Sequence, residues 1–494
     1  MSLPSNHEVR LERNAWIILA ALAVFSVSVY VAVSCLTFRV GFPLDDAWIH
    51  QTYARNLALQ GEWAFIPGDP SAGSTAPLWS VLLAIGYWIG LAPYVWTFIA
   101  GAAILWVLSA FVEIAARKFA PTYRPRFPWM GALMAMEWHL VWAAGSGMET
   151  LLFAFLVSVI LLKLVDSQRY AMIGLLIGLS VWIRPDGITL LGPAMFTILL
   201  KEPGWRERMK AVQKLLLGFS SLFALYLLFN FLLEGSLLPN TFYAKQAEYA
   251  ILREAPFWKR YSQMLLQPIL GVGLVLTLGV LLTIIKAVQT RNLGMLAGMI
   301  WFLGFLGLYA WSLPETYQQG RYLIPAMPVF FFWGTLGLLT FPRRPAPQWQ
   351  WMLDTAWRAL TVVILVLYWM MGAAAYGQDV AVIESEMVTA ARWVSENIPP
   401  EASVAAHDIG ALGYFGGHEL VDLAGLVSPE VIPFIRDEAR LETYLIGRGV
   451  EYLVTFPGWY PSITEDLEEI FITNGRFAPA MGEENMIVFI LPDR

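Results

Sequence analysis

Apolar runs dominate this chain, and their lengths set its class. Crossing a bilayer takes about 20 helical residues. Runs of that order lie at about 15–37, 94–116, 128–144, 150–165, 211–233, 264–285, 294–312, 322–340 and 356–377. Two shorter runs, 171–183 and 187–200, flank Arg184-Pro185-Asp186-Gly187, and a further run extends from Pro77 to Pro93. Between the first two spans the spacing predicts a helix over about 46–60. Ile49, Tyr53 and Leu57 form one stripe of it, while His50, Gln51 and Arg55 point elsewhere. Pro43 disfavours continuation from the first span, Asp45 is placed to cap the new helix, and Gly61 is placed to stop it. Beyond residue 378 the pattern changes. Helical periodicity covers about 380–397, and Ser403–Ala406, Leu420–Leu423, Tyr452–Phe456 and Met486–Leu491 read as strands. Helices are expected near 439–449 and 462–471, which makes the tail a small α/β domain.

Charge in the loops orients the spans. The loops 117–127, 163–170, 201–214, 286–293 and 341–358 hold 16 Lys and Arg, against 6 in 145–149, 183–186, 234–263 and 313–321. The first set is expected on the cytoplasmic side, together with the N-terminus and its Arg10 and Arg13. Only one crossing then fits between the first outer loop and 117–127, so 77–93 is expected to be a re-entrant or juxtamembrane helix on the outer face. The expectation is an all-α polytopic membrane domain of about eleven transmembrane helices over 1–377. A soluble α/β domain over 378–494 follows it outside, at the plasma membrane. The two short runs around RPDG reach only about 20 Å each, less than the roughly 30 Å hydrocarbon core. Irregular backbone at that depth needs protein or a wet cavity around it, which predicts an outward-facing cavity with a charged floor.

Composition agrees. Hydrophobic residues make up 57% and charged residues 14%, against about 25% charged in a soluble domain. The net charge of -6 combines +8 over 1–377 with -14 beyond, an acidic tail on a basic-looped membrane domain. No basic run or recognition motif suggests a nucleic-acid partner. The single cysteine, Cys35, excludes an intramolecular disulfide and a multi-thiolate metal site. It is expected to be an inert core thiol within a retained signal anchor.

The segments placed outside carry the candidate chemistry. The acids are Asp45 and Asp46, Glu149 in Gly145-Ser146-Gly147-Met148-Glu149-Thr150, and Asp186 beside Arg184. Each has a plain structural alternative: a helix cap, a first-turn acid or a mutual ion pair. Glu137 and His139 lie within the third span, where ionisable groups are functional candidates. Residues two apart do not share a helix face, so different partners are expected for them. The cations are Lys245, in Leu238-Pro239-Asn240-Thr241-Phe242-Tyr243-Ala244-Lys245, and Arg321, followed by Tyr322. They suit either snorkelling to head groups or phosphate neutralisation. There is no Walker loop, no HExxH and no internal repeat of the kind a secondary transporter shows. Carboxylates and cations gathered at an outer membrane surface suit transfer of a group from a lipid phosphate.

Asp45-Asp46 in the first outer loop, the Glu149 turn, the basic inner loops and the outer C-terminal domain resemble the GT-C superfamily. These are polytopic glycosyltransferases that use polyprenyl-phosphate-linked sugars. The blocks DDAWIHQTYARNLA, GSTAPLW, SGMETLLFA, RPDG, LPNTFYAK, RYLIPAMP, HDIGALGYFGG and VDLAGLVSPE run in order from residue 45 to 430. They are most similar to the subgroup of the mycobacterial terminal arabinofuranosyltransferase. Trp48, His50 and Gln51 depart from the more aromatic and Ser/Arg-rich pattern expected after Asp46, and the blocks are not specific to one sugar. The resemblance implies an inverting glycosyltransferase that moves a sugar, arabinofuranose among the candidates, from a polyprenyl phosphate to an extracytoplasmic glycan, lipid or protein. It implies Asp45 as general base, and Asp46 and Glu149 as helpers that position the acceptor or hold a divalent cation (Mg, Mn or Ca). Lys245 and Arg321 resemble donor-phosphate ligands. His50, Arg55, Arg184, Asp186, Asn240, Tyr243 and Tyr322 are further substrate-binding candidates. A phosphate leaves readily, so one base and fixed positive charge suffice. The alternatives are an enzyme like a protein O-mannosyltransferase, and a transporter or flippase of lipid-linked saccharides. The tail is expected to bind acceptor or form a lid, and with no Rossmann fingerprint nucleotide-sugar use is not expected.

Overall fold

Arg13–Thr37 is largely apolar from Ala15 onward and helical, and it buries one stripe: Ala15, Leu19, Ala23, Ser26, Val27, Tyr30 and Ser34. Cys35 falls one position past that stripe and is exposed. It is therefore not the core thiol expected. The computed structural model describes residues 11–340 and 348–492. Arg10 and 341–347 of the expected inner loop lie outside the described residues.

The chain is a multi-pass membrane protein. Among the described residues, seven helices are long and apolar enough to cross a membrane, fewer than the crossings expected. The remaining expected segments are helical but short or interrupted. One is Thr150–Asp166, at 17 residues. Tyr170–Val181 and Leu191–Lys201 flank a 3-10 turn over Pro185–Leu190, with the Arg184 of RPDG extended just before it. The third expected span is split into Trp129–Met136 and Trp138–Gly145. At the split Glu137 is extended, with φ -68° and ψ 123°, and its carboxylate accepts from Leu140 N. The break also corrects the expectation for Glu137 and His139. Off the helix, Glu137 turns its side chain back, and His139 Nδ1 lies 2.8 Å from its Oε1. The two are partners of each other.

The loop after the first span, expected on the outer side, builds two helices. Asp46–Gln60 ends at Gly61, whose φ of 75° is the left-handed stop that glycine favours. Pro77–Trp88 has only 12 residues, about 18 Å of helix, too short to span. The two pack together through Ala54, Ala76, Trp79, Leu83 and Ala84. A short antiparallel pair, β1 (Ala64–Ile66) with β2 (Asp69–Pro70), links them.

The tail is an α/β domain. Helix Gln348–Ser385 runs unbroken through position 378, and Met387–Asn397 follows it, so no linker marks the expected boundary. Five strands follow: β3 (Ser403–Ala406), β4 (Glu419–Asp422), β5 (Tyr452–Thr455), β6 (Glu468–Ile472) and β7 (Ile487–Ile490). Their order is β4-β3-β5-β7-β6, with β3 parallel to both its neighbours and β7 antiparallel to both of its own. The helix expected near 462–471 is only Pro461–Thr464, and after a short turn β6 takes the chain from Glu468. Alternation along each strand feeds two cores. Val404, Ala406, Val454 and Val488 face the 387–397 helix and the outer-loop helix. Ala405, Leu453, Ile487 and Phe489 face the opposite side with Leu441 and Leu445 of helix Glu438–Arg448. The outer-loop helix is therefore covered by the tail, with Trp48 against Tyr414 and Phe415 at ring distances of 4.7 and 4.8 Å. Burial around its first two turns overrides its amphipathic pattern, and His50, Gln51 and Asn56 are buried too.

Candidate active site

A cavity of about 240 Å³ opens between the outer-loop helix, the Glu149 turn, the RPDG turn and the segments carrying Lys245 and Arg321. Two charged clusters line it.

The first is centred on Asp46, in the opening turn of its helix. Arg321 Nη1 lies 2.8 Å from Asp46 Oδ2, and Lys245 Nζ lies 3.5 Å from the same oxygen. Tyr322 Oη accepts from both cations, at 3.0 Å each. Burial pushes the Asp46 carboxyl upward, but Lys245 and Arg321 outweigh it and hold the group well below the usual carboxylate range. The same carboxylate raises Lys245 against the effect of its burial.

The second cluster is centred on Arg184. Its Nη1 lies 3.2 Å from Glu149 Oε1, and its Nη2 lies 3.0 Å from Asp186 Oδ2 and donates to Tyr309 Oη at 3.0 Å. Tyr309 Oη in turn donates to Asp186. The ion pair within RPDG thus exists and is also part of the cavity wall. His50 joins from the outer-loop helix, with Nε2 3.5 Å from Glu149 Oε2 and Nδ1 3.2 Å from the hydroxyls of both Ser74 and Ser80. Burial works against the charged form of Glu149, yet His50 and Arg184 bring its carboxyl down to about 2.

Asp46, His50, Glu149, Arg184, Asp186, Lys245, Arg321 and Tyr322 therefore meet in one cavity. Four other candidates do not line it. Asp45 does not cap its own helix. Its Oδ2 and Oδ1 accept the backbone N–H groups of Gly410 and Ala411 at 2.6 and 2.8 Å. It caps helix Gly410–Phe415 of the tail instead, and burial and nearby Asp408 raise its carboxyl well above the usual range. A β-carbon on Gly410 would sit 2.1 Å from the Asp45 carbonyl oxygen, so this approach requires glycine. Arg55 donates to the carbonyls of Tyr414 at 2.5 Å and Gly413 at 3.4 Å, again joining loop to tail. Asn240 donates to Glu234 Oε2 at 2.7 Å and to the Leu426 carbonyl at 3.4 Å. Tyr243 is exposed, edge-on to Phe242.

Sequence reasoning missed Tyr309, which closes the Arg184–Asp186 pair. Its only signal was a tyrosine near the outer end of a span. It also missed Glu315 and the tail's His407. His407 Nδ1 lies 2.7 Å from Tyr460 Oη and its Nε2 lies 3.2 Å from Glu248 Oε1, which ties the tail to the segment after Lys245.

The residues do not fit the two-acid cation site suggested for Asp46 and Glu149. Each carboxylate is already paired with an arginine and a second basic side chain. Among the described residues no group of three or more His, Cys, Asp and Glu side chains has the arrangement of a metal site.

Comparison with known proteins bears on the fold. The sequence profile of a domain of unknown function (DUF8728) matches residues 374–488. Over 227 residues the chain is 27% identical to the terminal beta-(1->2)-arabinofuranosyltransferase of Mycobacterium tuberculosis (strain ATCC 25618 / H37Rv). That match covers 41% of this chain and 35% of the relative's length. Crystal structures of ArnT from Cupriavidus metallidurans superpose over 97% of this chain and 98% of theirs. The form bound to undecaprenyl phosphate gives a TM-score of 0.58 at 15% identity, and the apo form gives 0.52 at 13%. The fold is of the GT-C type.

Proposed function

We propose that this protein is an inverting glycosyltransferase that takes a sugar from a polyprenyl phosphate, with Asp46 as general base. The observation that carries the reading is one wall of the cavity, where a carboxylate stands beside two cations, Lys245 and Arg321. The likeness to an arabinofuranosyltransferase over part of the chain and to the undecaprenyl-phosphate-bound fold supports it. A pentose such as arabinofuranose is the sugar proposed, and an extracytoplasmic glycan, lipid or protein the acceptor.

The chemistry follows from the charges. The acceptor hydroxyl oxygen forms a bond to the anomeric carbon as the bond from that carbon to the phosphate oxygen breaks. The hydroxyl proton passes to Asp46, and the bonding electron pair leaves on the phosphate. Lys245 and Arg321 stabilise that developing charge, where preorganised donors act most strongly. Attack opposite the phosphate inverts the anomeric centre. Glu149, Asp186 and His50, across the cavity, offer hydroxyl-binding groups for the sugars. No step is routed through a metal.

The distribution of basic loops supports an extracytoplasmic position for the cavity and the tail. A reporter fused after residue 400 should read as external. The direct test is transfer from synthetic farnesyl-phosphoryl arabinofuranose to an oligosaccharide acceptor by purified protein. Lys245→Ala and Arg321→Ala should each weaken farnesyl phosphate binding by tenfold or more, about 1.4 kcal/mol. Binding unchanged in both would overturn the assignment.

A further inference from the structure

Asp46 as base presents a difficulty, and the inference that resolves it rests on that functional reading. A carboxylate held by Arg321 at 2.8 Å and Lys245 at 3.5 Å is a weak base, whereas a general base works best with a pKa near the working pH. Something must draw the arginine away during the reaction.

Two buried groups near Arg321 lack partners. Its own Nε has no hydrogen-bond acceptor. Glu315, six residues earlier, is 1% exposed, and neither of its carboxylate oxygens closes a hydrogen bond. Burying polar groups unpaired costs free energy, and such groups in a native fold call for an explanation. Here the two are complementary, an N–H donor on a cation and a carboxylate. Between them Gln318 and Gln319 hold left-handed backbone, with φ of 53° and 59°, a conformation that non-glycine residues adopt at a cost and that gathers at functional sites. Gln319 is pinned from outside, its side-chain amide donating to Asp379 Oδ2 at 3.1 Å. The charged and polar groups that act on Glu315 are Arg321, Lys245 and the Tyr317 N–H, which lies close by but outside hydrogen-bonding geometry. Burial pushes the Glu315 carboxyl up, and those three hold it to about 7.

We propose that Glu315 is a positioning residue: it receives Arg321 when the donor phosphate binds, and so releases Asp46 to act as the base. The phosphate competes with Asp46 for Lys245 and for a terminal N–H of Arg321. The guanidinium keeps that N–H on the phosphate and turns Nε to Glu315. Asp46 then loses the charge that suppresses its basicity only when a donor is present. No covalent bond changes in this exchange.

Calorimetric titration of the full-length protein with farnesyl phosphate at pH 7, in buffers of different ionisation enthalpy, tests it. Pairing with Arg321 pulls Glu315 down from about 7, so its contribution is a release of about half a proton per phosphate bound. Protonation of the phosphate itself is common to all variants. Glu315→Gln should bind farnesyl phosphate within about threefold of wild type yet lose that release, and kcat should fall about tenfold or more with little change in KM. The acid limb of its kcat profile should move to lower pH, because Asp46 stays paired with Arg321. Glu315→Asp should restore the proton release, and a failure to restore it counts against the exchange. Wild-type proton release, kcat and pH profile in Glu315→Gln would overturn the inference while intact phosphate binding left the functional reading standing. Wild-type protein that does not bind farnesyl phosphate would overturn both.

Discussion

Asparagine at positions 46 and 45 separates the base from its neighbour. Asp46→Asn keeps the side-chain volume and a carbonyl oxygen for Arg321, but it cannot take a proton. A general base contributes about 10²–10⁴-fold in rate, or roughly 2.7–5.5 kcal/mol of barrier. The stability cost should be smaller. Removing one partner from a fully buried ion pair costs about 3–5 kcal/mol. Asp46 retains 28% side-chain exposure, however, and Tyr322 stays bonded to both cations, so we expect a loss below about 2 kcal/mol. Asp45→Asn should do the reverse. It leaves one acceptor for two backbone N–H groups and turns an amide NH₂ toward the other. Leaving a buried N–H without its acceptor costs about 1–3 kcal/mol, while the folded fraction should keep its turnover. The assay is initial-rate transfer from farnesyl-phosphoryl arabinofuranose, with thermal unfolding of the same preparations. Near-normal turnover in Asp46→Asn would refute the reasoning. So would an Asp45→Asn protein that unfolds at the wild-type temperature but has lost activity, which would return the base role to Asp45.

Gly410→Ala should uncouple tail from loop, since its β-carbon would press on backbone 2.1 Å away; overpacking of this kind costs about 1–3 kcal/mol, and faster limited proteolysis between residues 400 and 420 would register it. His407 should make stability fall on the alkaline side. Burial disfavours its charged ring, but Tyr460, Glu248 and Asp408 outweigh burial and raise its pKa well above the usual value. A raised folded value gives a contribution that is whole below pH about 6.5 and is lost as pH climbs through the folded pKa. His407→Gln should flatten that slope in melting temperatures taken from pH 6 to pH 9, and an unchanged slope would exclude His407 as its source. Chelation by EDTA should leave transfer within about twofold, because Asp46 and Glu149 are already satisfied by cationic side chains; activity restored only by Mg, Mn or Ca would show otherwise.

Periodicity made the membrane helices, the 46–60 helix with its Gly61 stop and four of the tail strands legible, because burial there repeats with the backbone's own period. The break at Glu137 was not legible. Nothing in MEWHLVW breaks a helix by propensity, and the Glu137–His139 pair exists only because the backbone extends there. The β6 strand was read as helix because Glu468 and Glu469 suit an exposed helix face, and pairing with β7 decided otherwise. At the site, charged residues beside turn sequences pointed to eight of the cavity's side chains. Asp45 and Arg55 carry the same kind of signal, but their partners are backbone atoms far along the chain, and contacts at that separation leave no mark in a single sequence.

The bond from Asp45 to Gly410 spans 365 positions, and that separation is also a delay. A ribosome adding about 5–20 residues per second makes the two partners some 20–70 s apart. The loop after the first span is made early and waits while the later spans follow, its helix lacking the cover that residues beyond 400 provide. Translation that stalls before residue 410 leaves a bundle already in the bilayer with an open loop and no finished pocket. Ordering of the site is thus a late event in the life of each molecule.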